Sequence, residues 1–309
     1  MIRLVDITSA AKEPLMIKLV VTDIDDTFVA VGREHATEHA LASVHALHDA
    51  GVEFSVVTGR RMSAIKKLFC GDEACYQTAI TSNGQRIYAD GQLIHTQYHS
   101  HDALVRAAEV ISHYEGYALG LYKGHEVELV SCTAEEVEKY GLAFWNKAYL
   151  VDGVSDHPYY KANIRVGHGP GVAPRFEVRQ ALVAACPEFN MVYPGPNYID
   201  LLPSGWGKDS AVCLLAQYMG FEFEEVAAFG DEENDLNMLY SVPNSVAVAN
   251  AVPSVRRDAR WHIGASADDA VADACFEIAA AAREGRMPAF MDESQLWEPA
   301  VHVPRGYAD

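Results

Sequence analysis

Residues 17–28 read IKLVVTDIDDTF, and this stretch decides the fold. An apolar run (Ile17, Leu19, Val20, Val21) ends in three carboxylates within four positions, Asp23, Asp25 and Asp26, and Thr27 follows at once. The run predicts a buried strand that delivers acidic side chains at its carboxyl end. Clustered carboxylates repel one another and resist desolvation, so such an end is costly. A divalent cation would relieve that cost. Read alone, the stretch is equally a strand running into a solvated acidic turn.

Outward from it, Ala40, Leu41, Val44 and Leu47 recur at helical spacing, which predicts a helix over 37–50 closed by Gly51. A second apolar strand over 52–57 ends in Thr58-Gly59-Arg60, a short helix follows near 62–69, and a third strand over 79–81 leads into the turn Ser82-Asn83-Gly84. This β-α-β-α-β order implies parallel strands with right-handed crossovers. Residues 101–202 have another texture. Helices are expected near 101–114, 134–140 and 173–185, and strands near 117–122, 127–130, 161–166, 191–193 and 198–202. Consecutive strand pairs mixed with helices suggest an antiparallel α+β unit. The first texture then returns: a helix over 208–219, a strand over 226–229 ending in Gly230-Asp231, a short helix near 235–240, a strand over 245–249, and helices near 252–259 and 269–283. The reading is an α/β fold, a Rossmann-like parallel sheet core (16–85 and 204–284) carrying an inserted α+β domain (86–203). Residues 1–15 are an extension and 285–309 a tail.

Composition narrows the function. The chain has 309 residues, half of them hydrophobic, and a formal net charge of −19. That charge disfavours nucleic acid and anionic membranes as partners, and means that an anionic substrate must be drawn in by local cations or a metal. No apolar run approaches a membrane span and no secretory h-region is seen, so a cytoplasmic location is expected. The six cysteines are scattered with no CxxC pair, as expected of small buried hydrophobes in a reducing compartment. His99 and His101 flank a serine and read as surface loop rather than as metal ligands.

Four signals fall at the carboxyl ends of expected strands or at a helix start: Asp23-x-Asp25-x-Thr27, Thr58-Gly59-Arg60, Lys208, and Gly230-Asp231-Glu232-Glu233-Asn234-Asp235. In an open parallel sheet this edge is where ligands bind. Together with TSNG (81–84), GWGKDSAV (205–212) and VAVANAVPSV (246–255), the set resembles the haloacid dehalogenase-like superfamily of phosphatases. The long insertion before Lys208 points to the Cof-type branch, whose large C2-type cap domain would be the inserted α+β unit.

The resemblance implies an Mg²⁺-dependent phosphomonoesterase acting on a small phosphorylated metabolite, with sugar phosphates the leading class. Asp23 would be the nucleophile, forming an aspartyl-phosphate. Asp25 would be general acid and then base. Mg²⁺ would be held by the Asp23 carboxylate, the Asp25 backbone carbonyl and the Asp231 carboxylate, with Asn234 and Asp235 supporting its shell; an all-oxygen set suits that ion. Thr58, the backbone at Gly59, and Lys208 would hold the phosphoryl group. Asn83 matches a position near the phosphate or leaving group, and reads equally well as a turn residue. Tyr122, Lys123, Tyr159, Lys161, Arg165 and Tyr193 are candidates to line the cap pocket. Two positions depart from the family pattern: Asp26, where glycine is common, and Asp209, which could pair with Lys208. A phosphotransferase or phosphomutase with the same intermediate is the nearest alternative. A silent binding protein of the same fold is the other, against which the retained Asp23, Asp25, Lys208 and Asp231 speak.

Overall fold

The computed structural model describes residues 16–124, 126–143 and 148–292; the expected extension 1–15 and the tail beyond 292 lie outside the described residues. The elements run β1 (Leu19–Thr22), α1 (Glu38–Asp49), β2 (Glu53–Val57), α2 (Met62–Leu68), β3 (Ala79–Thr81), β4 (Arg86–Ala89), β5 (Gln92–Thr96), α3 (His101–Ile111), β6 (Tyr117–Lys123), β7 (Glu126–Val130), α4 (Ala134–Tyr140) and β8 (Ala148–Leu150). They continue with β9 (Ala162–Val166), α5 (Arg175–Ala185), β10 (Phe189–Gly195), β11 (Tyr198–Pro203), α6 (Lys208–Met219), β12 (Val226–Gly230), α7 (Leu236–Ser241), β13 (Asn244–Ala247), α8 (Pro253–Asp258), β14 (Trp261–His262) and α9 (Ala270–Glu284). They group into two compact units, the chain up to Phe54 together with the chain from Phe221, and Ser55–Gly220.

The first unit is a parallel sheet. β1 pairs with β12 from Leu19↔Val226 to Thr22↔Phe229, β12 pairs with β13, and β13 with β14. β2 begins beside β1, where the Glu53 N–H donates to the Lys18 carbonyl at 2.8 Å. Every residue of β1 and β12 is buried, as expected of parallel strands covered on both faces. α1 starts at Thr37, whose hydroxyl accepts from the Ala40 N–H at 3.0 Å and so satisfies one orphan donor of the first turn. Its buried Ala40, Val44 and Leu47 form one helical stripe, and α9 packs beside it through a stripe that includes Ala274, Ile278 and Ala281.

In the second unit β2 runs parallel to β3, and β3, β4 and β5 are antiparallel. The β4–β5 hairpin is absent from the sequence reading, which starts the insertion at 86. Its turn is Asp90-Gly91, with φ of 49° and 74°, the left-handed pair that a two-residue hairpin requires. The second sheet of this unit has the order β10-β11-β9-β6-β7-β8, antiparallel except for the β7–β8 pair. β8 is also absent from the sequence reading. β9 shows why this sheet has two unlike faces. Ala162, Ile164 and Val166 alternate with Asn163 and Arg165, and a strand sends successive side chains to opposite sides. The apolar side packs with Leu119, Leu121, Ile199 and Leu201 against Leu104 and Ile111 of α3 and Val178 and Leu182 of α5. Each such leucine or isoleucine contributes about 1.5–3 kcal/mol by burial.

The His-Ser-His run is not surface loop. Ser100 caps α3 by accepting from the Ala103 N–H at 3.4 Å. His99 is buried, with Nε2 3.0 Å from the Gln85 amide nitrogen, while His101 remains exposed. Burial, and next the charge of Lys161, push the His99 pKa down to about 4.

Candidate active site

The β1–β12 register decides the first part of the site. Thr22 lies opposite Phe229, and the Asp23 N–H donates to the Phe229 carbonyl at 3.0 Å. The acidic residues that follow both strands therefore emerge at one edge. Asp23, Asp231 and Asp235 are all buried, and each offers a carboxylate oxygen within 4.8 Å of the others. The Thr27 hydroxyl donates to Asp231 Oδ1 at 2.6 Å. Asp235 Oδ2 accepts from the N–H groups of Asp231 (3.1 Å) and Glu232 (3.2 Å), so this carboxylate holds the turn that carries Asp231. The approach requires glycine at 230, because a Cβ there would stand 2.7 Å from Asp235 Cβ and 2.9 Å from Oδ2.

Three buried carboxylates this close repel strongly unless a cation sits among them. All the donors are hard oxygens, a set that fits Mg²⁺ and disfavours softer metals. The sequence reading named Asp23, Asp25 and Asp231 as ligands and put Asp235 in support. The carboxylate group that forms is Asp23, Asp231 and Asp235. The Asp25 carboxylate is exposed and outside that group, the contact expected of Asp25 being its backbone carbonyl, and the Asn234 side chain is exposed too. The backbone after β1 curls at once. The Phe28 N–H donates to the Asp23 carbonyl (3.3 Å), Val29 to Ile24 (2.8 Å) and Asp26 to Val29 (2.9 Å).

Asp26 sits in this curl with φ of 60°. Its Oδ1 accepts from the Ser266 hydroxyl (3.0 Å) and the Val31 N–H (3.3 Å), and its carbonyl accepts from the Asn250 amide (2.7 Å). Asn250 Oδ1 in turn accepts from the Ser266 N–H at 2.8 Å. The carboxylate that departs from the family pattern is a tie between three loops.

The second unit holds the other signals. The Thr58 hydroxyl accepts from the Arg60 N–H (3.1 Å), the Thr58 carbonyl from the Asn83 N–H (2.9 Å), and the Arg60 carbonyl from the Ser82 N–H (3.0 Å). These bonds fold Ser82-Asn83, both at positive φ (55° and 56°), onto the Thr58-Gly59-Arg60 turn. The Asn83 amide lies against Gly59, its Oδ1 3.1 Å from where a Cβ would stand. Gly84, at φ 96°, meets the start of α6 so closely that a Cβ would lie 2.3 Å from the Gly207 carbonyl oxygen. The Trp206 indole N–H donates to the Gly84 carbonyl at 2.9 Å. Lys208 is the first residue of α6 and is buried. Asp209 Oδ1 folds back over Gly207, 2.8 Å from its would-be Cβ, where a negative charge suits the helix start. Thr58, Gly59, Asn83 and the helix start bearing Lys208 thus share one neighbourhood.

The cap candidates separate. Tyr159 is core of the cap, its hydroxyl bonded to Glu128 and Ser155, and Lys123 is half exposed beside Glu128. Lys161 donates to the Gly59 carbonyl at 3.1 Å, and Arg165 to the Tyr122 hydroxyl at 3.1 Å. The Tyr193 side chain lies outside the described residues. The sequence reading quoted Thr27 but gave it no role, although its spacing after Asp23 was in view. The need for Asp235 was harder to see, since it depends on the side chain that Gly230 lacks.

The family described as haloacid dehalogenase-like hydrolase matches residues 20–275. The chain is similar to the 5-amino-6-(5-phospho-D-ribitylamino)uracil phosphatase YbjI of Escherichia coli K12, 25% identical over 273 residues that cover 84% of this chain and 95% of that one. It is also similar to the HMP-PP phosphatase of Enterobacter sp. strain 638, 25% identical over 251 residues that cover 78% and 87%. Among solved structures, BT1666 from Bacteroides thetaiotaomicron, a phosphatase of the haloalkanoate superfamily, superposes with a TM-score of 0.72 at 19% identity, covering 89% of this chain and 98% of that one. The subclass IIB sugar phosphatase BT4131 superposes with a TM-score of 0.68 at 18% identity, covering 83% and 97%.

Proposed function

Because the chain belongs to the haloacid dehalogenase-like hydrolase family, we propose that it is an Mg²⁺-dependent phosphomonoesterase that works through an aspartyl-phosphate. The observation that carries this reading is the buried grouping of Asp23 with Asp231 and Asp235 at the end of β1. The Asp23 carboxylate attacks phosphorus, and the bond from phosphorus to the leaving oxygen breaks. The exposed Asp25 carboxyl gives its proton to that oxygen. It then takes a proton from the water that attacks the acyl phosphate, which frees inorganic phosphate and restores Asp23. The Thr58 hydroxyl already accepts the Arg60 N–H; its own proton is left to donate to a phosphoryl oxygen. The Lys208 ammonium, the amides at Gly59 and the Asn83 side chain supply the remaining contacts to those oxygens. Asp23, Asp231 and Asp235 would hold Mg²⁺, with the Asp25 backbone and Asn234 in support. When bound, the ion offsets the charge of the carboxylates and the phosphoryl group.

The substrate is a small phosphorylated metabolite, a sugar phosphate by preference, in the cytoplasm. Both curated relatives carry names of phosphatases for small phosphorylated molecules, which supports that class. Residues 16–85 and 204–284 form the catalytic core in this reading, and the inserted segment selects the leaving group.

The test is phosphate release over a panel of phosphorylated metabolites, with Mg²⁺ or with EDTA. Release that needs Mg²⁺ and falls at least about a thousandfold in Asp23→Asn is the expected result. Undiminished turnover in that variant would overturn the mechanism.

A further inference from the structure

We propose that Asp26 is a positioning residue of the phosphoryl transfer: it ties the curl after β1 to two neighbouring loops, and so sets where the Asp25 carboxyl delivers its proton. The inference deepens the phosphatase reading and rests on it for the role of Asp25.

Asp25 is the exposed member of a buried run. Residues 21–24 and 27–30 are buried and Asp26 is half-buried. A proton donor must be held within about 0.5 Å of its productive place. An exposed side chain has little packing to hold it, so the backbone that carries it has that task. On one side of Asp25 the backbone is fixed by strand pairing, where the Asp23 N–H donates to the Phe229 carbonyl at 3.0 Å. On the other side the nearest tie is Asp26. Its carbonyl accepts from the Asn250 amide at 2.7 Å, and its Oδ1 from the Ser266 hydroxyl at 3.0 Å. Thr27 is bonded to Asp231 at 2.6 Å, one residue further from Asp25.

The two loops that receive Asp26 are themselves held. Asn250 Oδ1 accepts from the Ser266 N–H at 2.8 Å. Beyond Ser266, Arg33 donates to the Ala267 carbonyl at 2.8 Å and pairs with Asp269, and the Thr37 hydroxyl donates to Asp269 Oδ2 at 2.9 Å. The Asn250 loop also reaches the buried carboxylates, since the Val252 N–H donates to the Asp231 carbonyl at 2.9 Å. Asp26 therefore links the residue beside the proton donor to the loop that steadies Asp231.

The residue type points the same way. At a φ of 60° glycine would sit without strain. Aspartate keeps some strain there and gains the bonds from Ser266 and the Val31 N–H. Strain retained by a side-chain-bearing residue next to a reacting group marks a functional constraint. The Asn250 bond goes to the backbone and survives a change of side chain, so replacing Asp26 by glycine removes the carboxylate's ties alone.

The test compares kcat/KM on benzyl phosphate and p-nitrophenyl phosphate, esters of similar size. Benzyl alkoxide must be protonated as it leaves, whereas p-nitrophenolate leaves as the anion. Asp26→Gly is expected to lose at least about tenfold on benzyl phosphate and less than about twofold on p-nitrophenyl phosphate. Ser266→Ala removes one of the same bonds from the other side, and should lose at least about threefold on benzyl phosphate alone. Asp26→Asn keeps an Oδ1 acceptor and tolerates this φ, so it should stay within about twofold of the unaltered chain on both esters. Equal losses on the two esters, no loss in either of the first two variants, or a loss in Asp26→Asn as large as in Asp26→Gly overturns the proposal. So does an unaltered chain that releases no phosphate from benzyl phosphate. The phosphatase reading is judged by Mg²⁺-dependent release from p-nitrophenyl phosphate in the unaltered chain. Release there without the selective loss sinks the positioning assignment alone, and release from neither ester sinks the reading itself.

Discussion

Asp26 shows how a departure from a motif is accommodated one residue at a time. A third carboxylate after β1 ought to burden Asp23. Its φ of 60° instead places it where Ser266 and the Val31 N–H take up its Oδ1. The left-handed conformation costs a side-chain-bearing residue about 1 kcal/mol or more, and glycine almost nothing. Asp26→Gly and Asp26→Ala both lose the side-chain bonds, but only alanine keeps the strain. Urea denaturation should therefore find Asp26→Ala less stable than Asp26→Gly by about 1 kcal/mol. Equal stabilities would mean that the curl does not hold this conformation in solution. At this scale the spacing of Asp23 and Asp25 was legible because the two stand two positions apart in sequence. The carboxylate of Asp235 was legible only as support, because its place follows from a missing side chain four residues away.

Among elements, those bounded by chemistry were read closely and those bounded only by geometry were not. α6 begins at Lys208 and ends at Met219, as its apolar spacing and Gly220 predict. The hairpin β4–β5 escaped because β5 buries little, with Gln92 and Leu93 exposed, so its sequence has no apolar face to reveal it. In β9, Lys161 and Arg165 were named as pocket candidates, yet Asn163 between them was passed over, because an amide carries no charge to draw notice. The contact of Gly84 with Gly207 was likewise invisible, and it makes a test. In Gly84→Ala a new methyl group would overlap a backbone carbonyl, at a positive φ besides. Loss of about 2–4 kcal/mol is expected in denaturant titration, with reduced turnover as Lys208 shifts. Gly91→Ala is the control: it has φ of 74° but open space, and should lose only about 1 kcal/mol. Equal losses in the two variants would show that the close approach adds nothing.

For the whole molecule, the order of motifs carried the fold, since each lies at the end of a strand or the start of a helix. No helix among the described residues is long and apolar enough to cross a membrane. The expectation for cysteines also has a global readout. Cys75, Cys186 and Cys275 are buried, Cys132 is half-buried, and Cys70 and Cys213 are exposed. Burial pushes the Cys275 thiol up to about 12 and the Cys132 thiol up to about 11. An aromatic disulfide reagent should thus modify Cys70 and Cys213 quickly in the folded protein and all six thiols in denaturant. Rapid reaction at Cys275 under native conditions would contradict the packing. The Asn83-Gly84 step has one more consequence, for shelf life. Asparagine before glycine is the dipeptide most prone to spontaneous deamidation, through a ring closed by the following amide nitrogen. Here both residues are buried and locked at positive φ by the turn against Thr58 and Arg60. Folding therefore guards the chain from a lesion that would place a carboxylate beside Gly59, and stored unfolded chains will age at this bond while folded ones are spared.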